Sequence, residues 1–195
     1  ALKGSGWNIV ADSKITTEYV FTRGKISQTV KAKQLKADYI LIYKNVKLAV
    51  VEAKSDELDV NEGVMQAKEY ADRLKIRYTY ATNGNKIYEI DMESGKENSL
   101  AAFPSPQELW DRTFGQVDEW RDKFNEMPIY NDGQRQPRYY QEIAINKVLR
   151  SIAEGKNRVL LTLATGAGKT FIAFQIAWKL FQSKWNIPKT YNRPR

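Results

Sequence analysis

Asp38, Glu52, Lys54, Gln66 and Tyr70 are the residues in this chain whose types and spacing could do chemistry. Glu52 and Lys54 are two apart, so on a strand they share one face while Ala53 points away. They extend the apolar run Leu48-Ala49-Val50-Val51, and ionised groups there are costly unless paired, metal-bound or opening into a cleft. If the strand carrying Asp38 lies alongside, two carboxylates meet and would repel unless a divalent cation sat between them. Ligation by oxygen alone favours Mg2+, held by Asp38 and Glu52 with the Ala53 carbonyl as a third donor. A cation there would polarise a phosphate ester and lower the pKa of a bound water, while Lys54 would orient that water and stabilise the phosphorane charge. Gln66 and Tyr70, four apart, stand one turn above each other on a helix placed to cover the strands. The bland alternatives are a chance pair of acids and a lysine, a solvated Gln66, and a half-buried aromatic Tyr70.

A second group is Ala164-Thr165-Gly166-Ala167-Gly168-Lys169-Thr170. A buried strand over 158–163, a glycine turn and a following helix would aim backbone N–H groups and the helix N-terminus at an anion. In that reading Lys169 contacts the β- and γ-phosphates of ATP and Thr170 ligates Mg2+. A strict phosphate-loop pattern wants Gly or Ala at position 163, where Leu163 stands.

The elements that must position these groups follow from periodicity. Residues 15–21, 38–43 and 48–53 are short and rich in β-branched and aromatic types, which predicts strands, with Lys44-Asn45 as the turn between the last two. Val60, Val64, Ala67, Ala71 and Leu74 recur at helical spacing over 60–74. Strands are expected over 77–82 and 86–91 around the hairpin signal Asn83-Gly84-Asn85. Helices are expected over 106–114 and 117–124, anchored by Trp110 and Trp120, then from 138 to about 154 with Gly155 as the stop, and over 170–181 with Ile172, Ile176 and Leu180 on one side. The tail 188–195 shows no pattern. This is an α/β chain. The polar, proline-flanked stretch 128–137 reads as a linker, and the residues after it are too few for a nucleotide-binding domain, so that domain is expected to be incomplete.

Composition removes whole classes. Cysteine and histidine are both absent, which excludes disulfides, thiolate nucleophiles, cysteine or histidine zinc sites and every histidine-based nuclease. No apolar run is long enough for a membrane span, and the start lacks a secretory stretch, so a cytoplasmic address is expected. The net charge of +8 is local: residues 131–195 hold 12 Lys+Arg against 3 Asp+Glu, while residues 1–130 hold 19 against 20. Lys31, Lys33 and Lys36, just ahead of Asp38, could draw in a phosphate backbone or form a solvated face.

Asp38, Glu52-Ala53-Lys54 and Gln66-x-x-x-Tyr70 resemble the PD-(D/E)xK nucleases of the RecB-like group, in which the Gln and Tyr assist active-site geometry or DNA contact. Ala37 stands where that group has proline. The group's further acid on a first helix is not placed by these motifs: Glu18 is a candidate, and a chain start inside that helix is the other reading. The glycine segment is similar to that of superfamily 2 helicase-like motors, which tolerate Leu163. Arg138-Tyr139-Tyr140-Gln141 is similar to their adenine-recognition segment, with Gln141 the base contact. In combination the chain resembles the motor-and-nuclease subunit of type I restriction enzymes. That resemblance implies a restriction-endonuclease-like mixed sheet flanked by helices over 1–127, a linker over 128–137, and the beginning of a RecA-like P-loop domain over 138–195. It also implies ATP-dependent translocation on double-stranded DNA, Mg2+-dependent cleavage, and methylation and specificity subunits as partners. The rival readings are a helicase-nuclease of DNA repair and a DNA-binding module whose nuclease fold has decayed.

Overall fold

β1 (Ser13–Thr22), β2 (Gln34–Tyr43) and β3 (Val46–Ala53) pair antiparallel in sequence order. Lys44 and Asn45, at φ 47° and 60°, make the tight turn between β2 and β3, a conformation whose twist matches that of the flanking strands. The computed structural model describes residues 1–22, 34–54, 61–115, 118–131, 133 and 137–185, excluding the side chains of 22, 34, 61 and 62. β4 (Tyr78–Thr82) lies parallel to β3, which a hairpin cannot achieve, so α1 (Asn61–Leu74) serves as the crossover. β5 (Ile87–Asp91) returns antiparallel through Asn83-Gly84-Asn85. There Gly84 takes φ 88° and the Asn83 side chain accepts from the N–H groups of Asn85 and Lys86. The sheet order is β1-β2-β3-β4-β5-β6.

β6 (Glu97–Leu100) was not legible in the sequence: Glu97-Asn98-Ser99-Leu100 has no apolar alternation. It exists as an edge strand, through its ladder to β5, with mostly exposed side chains.

Helices cover both faces of the sheet. α1 lies on one face, where Val64 packs with Ala81 and Ile90. α2 (Pro106–Phe114) starts at a capping box of Ser105 and Glu108 and lies on the other, where Leu109 and Trp110 join Leu41, Val51 and Tyr80. Trp7, fully buried in that same layer, donates from Nε1 to the Pro104 carbonyl at 2.9 Å. Glu89 is buried there too, and is satisfied by Tyr80 Oη at 2.8 Å and Arg112 Nη2 at 2.6 Å, as a buried carboxylate requires.

The chain divides into two compact units, 1–116 and 117–195. The second contains α3 (Glu119–Glu126), α4 (Tyr139–Ala153) and α5 (Lys169–Gln182) around Phe124, Ala144, Ile145, Leu149 and Ile172. This corrects the expected boundary at 127/128. α3 belongs to the second unit because Phe124, 1% exposed, is part of that unit's core. The described part of 128–137 is not a free linker either, since Tyr130 bonds to Gln175 through both its N–H and its C=O.

Two further expectations need correction. Residues 158–163 form no strand, and Val159, Leu160 and Leu161 are 44%, 92% and 38% exposed. A buried strand needs ladder partners on its edges, and none pairs with this run among the described residues. Glu18 sits on β1 at φ 54°, not on a helix; the helical turn before it is Lys3–Ser5. Glu18 is exposed and ion-paired with Lys36 at 2.7 Å. Lys31, Lys33 and the tail 188–195 lie outside the described residues. No helix among those described is long and apolar enough to cross a membrane.

Candidate active site

The register of β2 and β3 sets the acidic site. Tyr39 pairs with Val51, so Asp38 and Glu52 fall on the next rung and face the α1 side. Asp38 Oδ2 accepts from the Ala53 N–H at 2.8 Å, which locks the carboxylate beside the strand end. Lys54 has just left β3 but is held by its N–H on the Thr82 carbonyl at 2.8 Å. From there its Nζ donates to Glu52 Oε1 at 3.0 Å and to Gln66 Oε1 at 3.1 Å. Gln66 Nε2 in turn donates to Tyr70 Oη at 2.7 Å, and the buried Tyr70 ring stands edge-on to Phe21 at 5.3 Å. The five residues singled out by type and spacing are thus brought together, four of them in one line of hydrogen bonds. Gly63, in the first turn of α1, lies over the site: a Cβ there would make ordinary contact, 3.6 Å from both Glu52 Cγ and Lys54 Cγ.

Glu52 is 2% exposed, and burial pushes its carboxyl above the ordinary value; the Lys54 hydrogen bond opposes that and the nearby Asp38 charge adds to it. Lys54 is held above its ordinary value chiefly by its bond to Glu52. Among the described residues nothing partners the buried Glu52 Oε2, and an orphaned carboxylate oxygen is costly unless something positive meets it. That oxygen beside the Asp38 carboxylate is a donor set suited to a hard divalent cation. Among the described residues no group of three acidic, histidine or cysteine side chains could hold a metal ion, and the backbone carbonyl of Ala53 is adjacent in sequence to Glu52.

The glycine loop is assembled differently. Gly166 and Gly168 take φ 76° and 82°, and Gly168 immediately precedes α5. The positive φ of Gly168 favours glycine, and a Cβ there would fall 2.5 Å from Gln141 Nε2 and push that amide aside. Gln141 Nε2 and Tyr140 Oη donate to the Ala167 carbonyl at 3.0 and 3.3 Å, while Gln141 Oε1 accepts from the Arg138 N–H at 2.9 Å. Gln141 thus reaches the loop, with both ends of its amide bonded to backbone. Thr165, Lys169 and Thr170 are exposed. Sequence reasoning missed Thr82, which pins Lys54, and Gln175 and Lys179, which are buried on the α5 face read as apolar. The signal was there: polar residues at 175 and 179 interleave with Ile172 and Ile176 at helical spacing.

Comparison with known proteins meets this geometry on both units. Residues 26–106 match the family described as the type I restriction enzyme EcoKI endonuclease subunit second domain. The chain is 37% identical to the type I restriction enzyme EcoAI endonuclease subunit of Escherichia coli, over 94% of this chain and 24% of that protein. It belongs to the type I restriction endonuclease subunits. A second such subunit, that of EcoKI from Escherichia coli strain K12, is 28% identical over 76% of this chain and 17% of its own length. Residues 134–189 match the family described as type III restriction enzyme, res subunit, which fits a helicase-like start around the glycine loop. A solved fragment of an HsdR subunit of a type I restriction enzyme from Vibrio vulnificus YJ016 superposes with a TM-score of 0.84 at 42% identity, covering all of this chain and 38% of that one. The chain therefore spans about a quarter or less of the curated restriction subunits it matches.

Proposed function

We propose that this chain carries the DNA-cutting centre and the first nucleotide-binding motif of an ATP-dependent restriction subunit, acting in the cytoplasm on double-stranded DNA alongside methylation and specificity subunits. The observation that carries this reading is the line Glu52–Lys54–Gln66–Tyr70 beside Asp38, ending in a buried carboxylate oxygen without a partner among the described residues. Asp38, Glu52 and the Ala53 carbonyl would hold Mg2+. When bound, the cation supplies charge to the scissile phosphate and acidity to a water. Lys54 orients the attacking water and offsets the negative charge that builds on the phosphate oxygens. Gln66 fixes the direction of the Lys54 ammonium, and Tyr70 fixes Gln66. In the second unit Thr165 to Gly168 present backbone N–H groups, Lys169 meets the outer phosphates, Thr170 holds a second Mg2+, and Gln141 reads the base through the donor and acceptor capacity its backbone bonds leave over.

The test is nicking of supercoiled DNA by the 195-residue chain with Mg2+, compared with Asp38→Asn and Glu52→Gln. Both variants should lose the metal-dependent activity. Nicking that persists in either one would sink the reading.

A further inference from the structure

α5 begins at the phosphate loop, and two turns into the helix it carries two buried polar side chains that the loop chemistry does not use. Gln175, fully buried, accepts the Tyr130 N–H at 2.9 Å and donates to the Tyr130 carbonyl at 2.8 Å. Lys179, one turn later and 3% exposed, donates from Nζ to the Phe124 carbonyl at 3.2 Å. The Tyr130 ring completes the contact, edge-on to Phe174 at 5.5 Å and to Trp178 at 5.0 Å. Four side chains on neighbouring turns of one helix therefore hold Phe124 and Tyr130, the two ends of the segment 124–130.

An apolar interface alone would have allowed these elements to slip. A buried amide bonded to both backbone groups of one residue fixes the register, because any slip strands a buried donor and acceptor. A lysine in the same position carries a desolvation cost, visible in the depression of its pKa to about 8 by burial, so its presence is not explained by packing. The held segment is the end of α3 and the residues after it, within the second unit, which begins at Val117. The latch is about 9 Å along the helix from Lys169, at 1.5 Å per residue.

We infer that Gln175 and Lys179 are positioning residues that fasten the segment 124–130 to the phosphate-loop helix, so that nucleotide at the loop governs how firmly that segment is held. The inference rests on the phosphate-loop reading above. The first turn of α5 is already helical, so nucleotide would add contacts to it, and opening of the latch would then require those contacts to be given up. At about a hundred times the dissociation constant, full linkage slows such opening about a hundredfold, and no linkage slows it not at all.

The Tyr130 amide, which bonds directly to Gln175, is the reporter. Hydrogen exchange at Tyr130 is followed in this chain with and without Mg2+ and a non-hydrolysable ATP analogue, with binding measured separately by a fluorescent nucleotide. Exchange at Tyr130 should slow at least tenfold on binding. Lys169→Ala should remove both binding and the slowing. Gln175→Leu should keep nucleotide affinity within about threefold and lose the slowing. Lys179→Met, which keeps volume and adds no buried polar group, should reduce the nucleotide response at 124–126 in a chain whose circular dichroism is unchanged. Binding with no change at Tyr130 would overturn the inference while leaving the loop reading intact. Absence of binding would remove the loop reading and this inference with it.

Discussion

The acidic site and the phosphate loop stand in one chain, yet they draw on different resources. At the acidic site the chemistry resides in side chains, and their meeting is dictated by strand register plus one crossover helix, all contained within β2, β3, α1 and β4. It is already cross-bonded, with Lys54 held at once by Glu52, Gln66 and the Thr82 carbonyl. At the loop the chemistry resides in backbone N–H groups, whose direction depends on the strand before and the helix after. The helix is present, anchored through Gln141 and Gln175, while residues 158–162 before the loop lie exposed with no ladder among the described residues. A site made of side chains can be complete within a few neighbouring elements; a site made of backbone dipoles inherits the completeness of its sheet.

The largest expected effect separates the two. In a full-length restriction subunit carrying this chain, Lys54→Ala should lower DNA cleavage by about 10^2–10^3-fold, the range for losing one transition-state charge partner, and leave ATP hydrolysis unchanged. Lys169→Ala should abolish ATP hydrolysis and any cleavage that depends on it. If Lys54→Ala stopped ATP turnover in a folded protein, the separation would be wrong. The 195-residue chain alone should show the same asymmetry: residual Mg2+-dependent nicking that weakens with salt, beside weak nucleotide binding and poor hydrolysis, because phosphoryl transfer also needs a positioned water and charge-stabilising groups beyond Lys169 and Thr170. Robust ATP turnover by this chain would break the comparison outright.

A second effect, about 3 kcal/mol at its limit, tests whether the loop unit is held by buried polar groups. Lys179 has its pKa lowered by burial from an ordinary 10.5 to about 8. The folded state therefore releases this proton at lower pH than the unfolded state. Below pH 8 the full cost of burying the charge is present; between 8 and 10.5 the unfolded chain holds the proton and the folded chain does not, so stability rises with pH. Protection of α5 amides against exchange should strengthen by about 2 kcal/mol between pH 7.5 and 9.5, and Lys179→Met should flatten that rise. Lys47 in the first unit, also lowered to about 8 by burial, predicts a rise of the same sign there that Lys179→Met leaves untouched. An equal slope in α5 with and without Lys179 would show that its ammonium is not the group responsible.

The same contrast explains what could be read in advance. Glu52, Lys54, Gln66 and Tyr70 were legible because period two on a strand and period 3.6 on a helix fix which side chains meet once the apolar run 48–51 marks the central strand. The hairpins at Lys44-Asn45 and Asn83-Gly84-Asn85 were legible because positive φ selects Asn and Gly. β6 was not, since an exposed edge strand needs no apolar pattern and is formed by its neighbour's ladder. The exposure of 158–162 was not, because an apolar run states a preference for burial without supplying the partners. Nor was the unit boundary: Pro128 to Pro137 looks like a linker by composition, but the tie between Tyr130 and Gln175 joins positions 45 residues apart that no local pattern connects.

The smallest effect sharpens the account of the acidic site. Tyr70→Phe removes one hydroxyl and keeps the ring that packs against Phe21, so the fold should tolerate it. What is lost is the acceptor for Gln66 Nε2, and with it one of the two bonds that direct the Gln66 amide toward Lys54. Lys54 keeps its bond to Glu52, so its charge stays in place while its orientation loosens. Weakened positioning of a group that remains present costs less than its removal, so cleavage should fall by about tenfold, near 1.4 kcal/mol, chiefly in kcat, with DNA affinity and melting temperature unchanged. Gln66→Ala should give a similar loss, and the double variant should cost little more than either alone, because both changes cut the same line of hydrogen bonds. Additive losses would instead assign Gln66 and Tyr70 independent roles, one of them a direct contact to DNA.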